Sequence, residues 1–234
     1  MGRIGVLMLV VAAAIVTTAV ALAVTRSPKQ LRAAMLRAAS ARHSVHYVST
    51  SSAAGHFIRI VADVGAGQGI QRITVKSGGH SGPATVRIVG GSGYIRGNAF
   101  TLHNYFPFSQ AQAKRYAGEW ISIPSSSGAY AAVAADATFA SFVGDLLPSN
   151  HLRVVRATID GKRSVGVRGT VRQAGLRLTE TVYAPARGTP LPFEEKAVAA
   201  RVRGTSVARM SRWNEPVKVQ APAHSVPIST VLGN

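Results

Sequence analysis

The sequence predicts an α+β protein in which an antiparallel sheet has one covered face, and three observations support this fold class. Apolar residues take every second position of short segments such as Ile58–Val64, and polar residues such as Arg59 and Asp63 lie between them. Eleven of the 23 glycines fall between Gly55 and Gly97, where hairpin turns need them. Segments with helical spacing of apolar residues precede and interrupt these strand-like runs.

Composition limits the classes of function. The chain has 234 residues, with 27 Lys+Arg against 9 Asp+Glu and a formal net charge of +18. The absence of cysteine excludes disulfides, thiolate nucleophiles, zinc knuckles and iron–sulfur clusters. Since 47% of the residues are hydrophobic, the chain is not a disordered basic tail, and its length suits one medium domain or two small ones.

The first predicted element is an uncharged apolar run from Ile4 to Val24, preceded by Arg3. As a helix this run spans roughly 31 Å, close to the ~30 Å hydrocarbon core of a bilayer. Alanines at positions 19, 21 and 23 also fit cleavage by a signal peptidase. We therefore expect residues 1–26 to be a signal peptide or a membrane anchor, and the length of the run favours the anchor.

A short amphipathic helix is predicted from Ser27-Pro28 to about Arg42, with Ser27 as its N-cap. Strands follow up to residue 104, and they are predicted at His46–Ser51, His56–Val64, Ile70–Ser77, Ala84–Val89, Gly93–Arg96 and Phe100–Asn104. A helical insertion is predicted next, with one helix over Ser109–Ala117 and a second over Tyr130–Leu147.

Strands resume after Pro148 and are predicted at Arg153–Ile159, Arg163–Gln173, Leu176–Tyr183, Pro192–Arg203 and Thr205–Trp213. Asp160-Gly161 has the composition of a hairpin turn between the first two of them. No linker divides the body, so residues 27–223 are predicted to form one domain. Residues 224–234 are predicted to be an extended tail.

No set of residues predicts catalysis. The glycine-rich stretches at 65–69 and 90–93 lack the Gly-Lys-Ser/Thr of a phosphate loop, and neither has the Gly-x-Ser-x-Gly spacing of a hydrolase. The seven histidines are scattered, and their spacing to carboxylates predicts no metal site. We therefore expect a protein that is not an enzyme and that binds no cofactor and no metal.

Glu180 falls on an apolar strand face, together with Leu176, Leu178 and Val182. Because an unpaired carboxylate among apolar side chains is costly, two interpretations follow. Glu180 either pairs with an arginine, or it lines an internal cavity and contacts a ligand there.

The positive charge first suggests nucleic acid, but its pattern does not. Aromatic residues make up only 6% of the chain, too few for the stacking platforms of single-strand binders. Arginines instead occupy alternate strand positions, such as Arg168 and Arg172, as on the solvent face of a sheet. We expect no specific nucleic-acid partner and an attraction to an anionic membrane or envelope surface.

Four stretches follow the first helix and meander in a fixed order: Gly93–Asn98, Lys114–Ile121, Tyr183–Pro192 and Arg212–Pro222. The first is similar to a Tyr-x-x-Gly strand that precedes a helical insertion, and the last to a closing strand with the pattern aromatic, turn, Pro-Val-x-Val-x-x-Pro. Together they resemble the LolA-like superfamily of lipid and lipoprotein carriers, in particular its LppX/LprG-type branch. That branch carries a lipobox cysteine, which this chain lacks.

The resemblance implies a half-open antiparallel β-barrel of about eleven strands with helices packed in its concave face. It also implies a non-enzymatic binding protein that holds a lipid or lipoprotein acyl chain between sheet and helices, for transport or sensing at the cell envelope. The alternative is a regulatory domain of the same fold that binds a membrane-protein partner. Counting basic residues around the apolar run places the body in the cytoplasm. The resemblance places it outside the membrane, anchored or secreted, and we adopt this location.

Candidate ligand contacts are apolar residues that share the covered face of the strands or the stripe of the insertion helix. Each of them equally fits ordinary core packing. They are Ile58, Ile60, Ile73, Val75, Val86, Ile88, Phe139, Phe142, Leu146, Val165, Val167, Leu176 and Leu178.

Overall fold

A computed structural model describes residues 26–135, 137–173 and 175–233. The run from Ile4 to Val24, predicted to be a signal peptide or an anchor, lies outside the described residues. Among the residues described, no helix is both long and apolar enough to cross a bilayer.

In this part of the chain, twelve strands form one open sheet. They are β1 Ser44–Ala53, β2 His56–Gly65, β3 Gln68–Ser77, β4 His80–Val89, β5 Ser92–Gly97, β6 Ile121–Pro124, β7 Asn150–Ile159, β8 Lys162–Gln173, β9 Leu176–Pro185, β10 Glu194–Ala199, β11 Gly204–Ser211 and β12 Val226–Pro227. Their order is β12-β6-β5-β4-β3-β2-β1-β11-β10-β9-β8-β7, antiparallel throughout except for β12 beside β6. The predicted α+β fold with a large antiparallel sheet is confirmed.

The described residues also form six short helices and one turn of 3₁₀ helix at Ala200–Val202. The helices are α1 Pro28–Ser40, α2 Ala99–Asn104, α3 Gln110–Arg115, α4 Tyr130–Ala134, α5 Phe139–Asp145 and α6 Ile228–Leu232. The predicted N-cap of α1 is confirmed, because the Ser27 hydroxyl accepts a hydrogen bond from the Gln30 N–H at 3.3 Å.

The predicted strand Phe100–Asn104 is wrong, because this run is helix α2. The side-chain oxygen of Asn98 accepts a hydrogen bond from the Thr101 N–H at 2.9 Å, which caps the first turn. Leu102 is then fully buried against the sheet. Alternation over only five residues therefore gave a misleading strand signal, since the N-cap residue Asn98 lies two residues before Phe100.

The predicted helix Tyr130–Leu147 is two helices rather than one. The backbone leaves helical geometry at Ala135, where ψ is 131°, and α5 begins again after Thr138. The Thr138 hydroxyl accepts a hydrogen bond from the Ser141 N–H at 3.4 Å and so caps the second helix. The predicted apolar stripe is nevertheless buried, since Phe139, Phe142 and Val143 all pack on the sheet.

The chain after β11 returns along one end of the sheet toward β6. Val219 donates its N–H to the Gln68 side chain at 3.2 Å, and Arg87 Nη1 donates to the Gln220 carbonyl at 3.1 Å. The prediction of an extended tail over residues 224–234 is wrong for most of that range. Val226 pairs with Ile121, and α6 buries Ile228 and Val231.

One face of the sheet, here called the inner face, carries the apolar alternation, and two groups of helices cover it. Met35 of α1 and Phe142 of α5 lie in a cluster with inner-face residues of β1, β2, β8, β9 and β11. Leu102 of α2 and Val231 of α6 lie in a second cluster, which covers β3–β6. The opposite, outer face carries the strand arginines. The amphipathic pattern of each strand thus becomes the two-sided character of the whole sheet.

We predict that Met35→Ala lowers the free energy of unfolding by about 2–5 kcal/mol, because Met35 is fully buried between α1 and the inner face. Urea denaturation measures this loss. Arg37→Ala on the exposed side of the same helix is the control, with an expected change within about 0.5 kcal/mol. Equal losses for the two variants would contradict the docking of α1 on the inner face.

Candidate functional site

A cavity of about 1220 Å³ lies between the inner face of the sheet and the segment that contains the end of α5. Its walls come from distant parts of the chain, from Arg32 on α1 to Ala208 on β11. The volume is above the range of ~300–1,000 Å³ that small-molecule sites occupy. It is therefore large enough for an extended organic ligand.

The cavity exists because neighbouring strands present small side chains at its floor. Ser49 pairs with Ala208, and Ser51 pairs with Ser206, across β1 and β11. Ala197 of β10 continues this row. On β3 and β4, by contrast, the inner face carries isoleucine and valine, which fill the space under the helices. These small side chains leave open volume over this part of the inner face.

One wall of the cavity is apolar. It consists of Ile58 and Ile60 from β2, Phe142 from α5, and Leu146 and Leu147 directly after α5. The Phe142 ring stacks on the Tyr47 ring with centroids 5.1 Å apart, and the buried Gln71 amide donates to the Tyr47 hydroxyl at 2.8 Å. These contacts fix the aromatic part of the wall, so it is formed before any ligand arrives.

Three carboxyl groups that line the cavity, those of Asp145, Glu180 and Glu195, lie near one another with Arg32 beside them, and this part is here called the acidic end. Glu180 is only 5% exposed, and its Oε1 atom has no hydrogen-bond partner among the described residues. Burial is the main cause that raises the pKa of Glu180 from 4.5 to about 8; Glu195 and Asp145 also act to raise it, and Arg32 acts to lower it. Of the two interpretations of Glu180, the structure therefore supports the group that lines a cavity.

His151, Arg172 and Arg177 line the cavity and are themselves exposed. These three residues form the rim of the cavity, where it opens to solvent. No three His, Asp or Glu side chains of the described residues are grouped so that they could hold a metal ion. The cavity thus combines an apolar wall, an acidic end and a basic rim.

A smaller groove of about 620 Å³ lies on the outer face across β3–β5. Arg72, Arg87 and Arg96 line it, with no carboxylate among its lining residues. The guanidinium carbons of Arg87 and Arg96 lie 4.6 and 5.9 Å from the centroid of the Trp120 ring. The indole therefore holds two cations side by side on the surface.

The structure divides the thirteen predicted contact residues into three groups. Five of them line the cavity: Ile58, Ile60, Phe142, Leu146 and Leu178. Seven lie in or against the two core clusters and do not line the cavity: Ile73, Val75, Val86, Ile88, Phe139, Val165 and Val167. Leu176 lies near the start of β9 and belongs to neither. Contact of the first five with a ligand stays a prediction.

Most of the polar and small residues that line the cavity were not among the contact residues predicted from the sequence. Tyr47, Ser49, Ser51, Ala197 and Ala208 all lie on the inner face at alternate strand positions. A run of small residues at inner-face positions of adjacent strands is a signal for a cavity, but the strand order was needed to place β1 beside β11. Asp145 and Glu195 carried no such signal, because only the fold brings them to Glu180.

We predict that Glu180→Gln changes how stability depends on pH. The folded state keeps the Glu180 proton up to about pH 8 while the ordinary value is 4.5, so the folded state binds more protons between these values. Stability of the wild type therefore falls as pH rises through this window, by an amount on the order of a few kcal/mol, and the glutamine variant lacks this decline. Urea denaturation across the window measures it.

The exposed Glu119→Gln is the control for that experiment and should keep the wild-type pH dependence. Parallel stability profiles for the wild type and Glu180→Gln would show that Glu180 ionises normally.

No known family model and no curated protein matches the chain. Solved structures similar to it include the Mycobacterium tuberculosis lipoprotein LppX, with 16% identity, a TM-score of 0.49, and coverage of 81% of this chain and 98% of that one. Another is a DUF1329 family protein from Desulfovibrio piger, with 10% identity, a TM-score of 0.32, and coverage of 84% of this chain and 96% of that one. A third is a Vibrio parahaemolyticus domain described as an outer membrane lipoprotein-sorting protein, with 6% identity, a TM-score of 0.24, and coverage of 80% of this chain and 95% of that one.

Proposed function

We propose that this protein binds a lipid or an acylated protein at the cell envelope and holds an acyl chain in the cavity, without catalysing a reaction. The observation that carries the proposal is the cavity of about 1220 Å³ with a preformed apolar wall between sheet and helix. The order of the sequence motifs, which resembles LolA-like carriers, supports it independently.

The driving force for such binding is the removal of apolar surface from water. Each Å² of apolar surface buried contributes about 25 cal/mol, so one long acyl chain gains several kcal/mol before ordering costs are subtracted. Because Tyr47, Phe142 and Gln71 already hold the wall in place, little of this gain is lost in ordering the protein.

The cavity also favours a carrier or sensor over a regulatory domain that only contacts a membrane protein. A purely structural interaction domain has no need for small inner-face residues such as Ser49, Ser51 and Ala197, since larger side chains there would pack the core more tightly. Transport and sensing both require the cavity, so either role fits it.

We further infer that the protein works outside the cytoplasm, anchored or secreted through residues 1–26, and approaches an anionic membrane surface with its outer face. The groove of Arg72, Arg87, Arg96 and Trp120 supports this orientation, because guanidinium groups bind phosphate oxygens and indole rings suit the membrane interface. The cavity and the groove then lie on opposite faces of one sheet.

We predict that Ala208→Phe, which places a ring at the cavity floor, weakens binding of cis-parinaric acid by at least about tenfold, or roughly 1.4 kcal/mol. Fluorescence titration of the purified protein measures the affinity. The residue change fills empty space and removes no contact, so the protein should still fold.

The matched control is Val207→Phe, the adjacent residue on the outer face of the same strand. It should bind the probe as the wild type does. Unchanged binding by Ala208→Phe, or no binding by the wild type, would overturn the proposed function.

We predict that the double variant Arg72→Gln and Arg96→Gln loses binding to phosphatidylglycerol vesicles, by about tenfold or more at low salt, since each interfacial arginine contributes about 1 kcal/mol. Arg87 is kept, because it also holds the returning chain at Gln220. Vesicle co-sedimentation measures the effect.

The control variant is Arg153→Gln with Arg168→Gln, an adjacent outer-face pair near the far edge of the sheet that removes the same charge. A smaller loss is expected for this pair. If both double variants lose equal affinity, net charge alone attracts the protein and the groove has no special role.

A further inference from the structure

Glu180 is an unusual group to find in a lipid cavity. The residue lines the cavity although only 5% of it is exposed, its Oε1 atom is buried without a hydrogen-bond partner, and it forms no ion pair among the described residues. A buried polar atom without a partner costs about 1–3 kcal/mol. Because Glu180 lies at the surface of an open cavity, a ligand atom can supply the missing partner.

The position of Glu180 is fixed by its neighbours in the sheet. Its backbone pairs with Ala197 on one side and with Gly169 on the other. Neither neighbour has a side chain long enough to reach the carboxyl group. At Gly169 a Cβ atom would lie 2.6 Å from the Asn150 carbonyl oxygen, so the segment 148–150 already occupies the space beside it. The open side of Glu180 is therefore the cavity.

The apolar wall and Glu180 belong to one continuous cavity. A ligand whose hydrocarbon part lies on Ile60, Phe142 and Leu146 can thus place its polar end at the acidic end. Given the proposed function, on which this inference rests, the acyl chain occupies the apolar part and the head group meets Glu180.

We propose that Glu180 recognises the head group of the bound lipid through a hydrogen bond, and that this head group is an uncharged hydroxyl or ester group, as in a diacylglycerol, rather than a phosphate.

Charge at the acidic end argues against an anionic head group. A phosphate placed at Glu180 would meet the carboxylates of Asp145 and Glu195, which line the same cavity. Arg32 is the cation beside them, and its Nε already donates to the Pro148 carbonyl at 2.7 Å. The two other arginines of the lining, Arg172 and Arg177, are exposed at the rim.

The protonation state of Glu180 agrees with an uncharged partner. Burial raises its pKa to about 8, so at neutral pH the carboxyl group carries a proton and has both a donor and an acceptor. This pairs well with a hydroxyl or an ester carbonyl. The charged groups that face it are Arg32 from α1, Asp145 from α5 and Glu195 from β10, with His151, Arg172 and Arg177 at the rim.

The test compares dioleoylglycerol with dioleoyl phosphatidic acid as competitors of bound cis-parinaric acid near neutral pH. The two lipids share their acyl chains and glycerol and differ only in the phosphate. We expect the wild type to bind dioleoylglycerol at least about tenfold more tightly. Glu180→Leu should bind dioleoylglycerol several-fold more weakly than the wild type, because the hydrogen bond to the head group is lost, whereas Glu180→Gln, which keeps a donor and an acceptor, should bind it as the wild type does.

Measuring dioleoylglycerol affinity over a range of pH separates head-group recognition by Glu180 from a purely structural role of this residue. At about pH 9, one unit above the pKa of Glu180, only about a tenth of the protein keeps the proton, so dioleoylglycerol affinity of the wild type should fall about tenfold. Glu180→Gln should show no such fall, and the surface control Glu119→Gln should behave as the wild type.

Equal affinity of the wild type for the two lipids, an unchanged dioleoylglycerol affinity in Glu180→Leu, or a pH-dependent fall retained in Glu180→Gln would each overturn the head-group proposal while leaving acyl binding intact. Failure of both lipids to displace the probe, together with failure of the probe to bind, would overturn the proposed function itself. The two failures are therefore distinguishable.

Discussion

The structure depends on how one large open sheet keeps its apolar inner face out of water. Twelve strands present this face, while the helices of the described residues are short, with thirteen residues in the longest and five to seven in the others. Where the sheet carries isoleucine and valine, α2, α3 and α6 pack directly on it. Where β1, β10 and β11 carry serine and alanine, the covering helices leave a gap. The cavity is thus a consequence of residue size on one face of the sheet.

The same division accounts for the arrangement of charge. A sheet with one covered face sends alternate residues to solvent, and arginine fills many of these outer positions. Three carboxyl groups lie instead at one end of the inner cavity. A buried carboxyl group without a partner lowers stability, and it persists where function requires it more than folding does. Glu180 is therefore better explained by a ligand than by the needs of the fold.

Much of the fold was predictable because strand alternation and glycine turns are local signals. The faces of Ile58, Ile60, Val165 and Val167 were predicted correctly from every-second-residue spacing. Two failures were local too, but they concerned short segments in which a capping side chain decides the outcome. Asn98 turned a five-residue alternating run into α2, and Thr138 restarted a helix that had stopped at Ala135. In such segments one hydrogen bond outweighs weak periodicity.

The sequence by itself determined the α+β class, the apolar and polar faces of the strands and the placement of Glu180 on an apolar face. It could not separate the seven core residues, such as Ile73 and Val86, from the five that line the cavity, because all of them share one pattern. Only the tertiary structure decided that, since a cavity depends on which strands are neighbours. β1 lies beside β11 although the two strands are far apart in the chain, and α1 brings Arg32 to Asp145 and Glu180. Contacts between distant segments leave no periodic signal in a single chain, so the open volume and its acidic end appear only once the sheet is assembled.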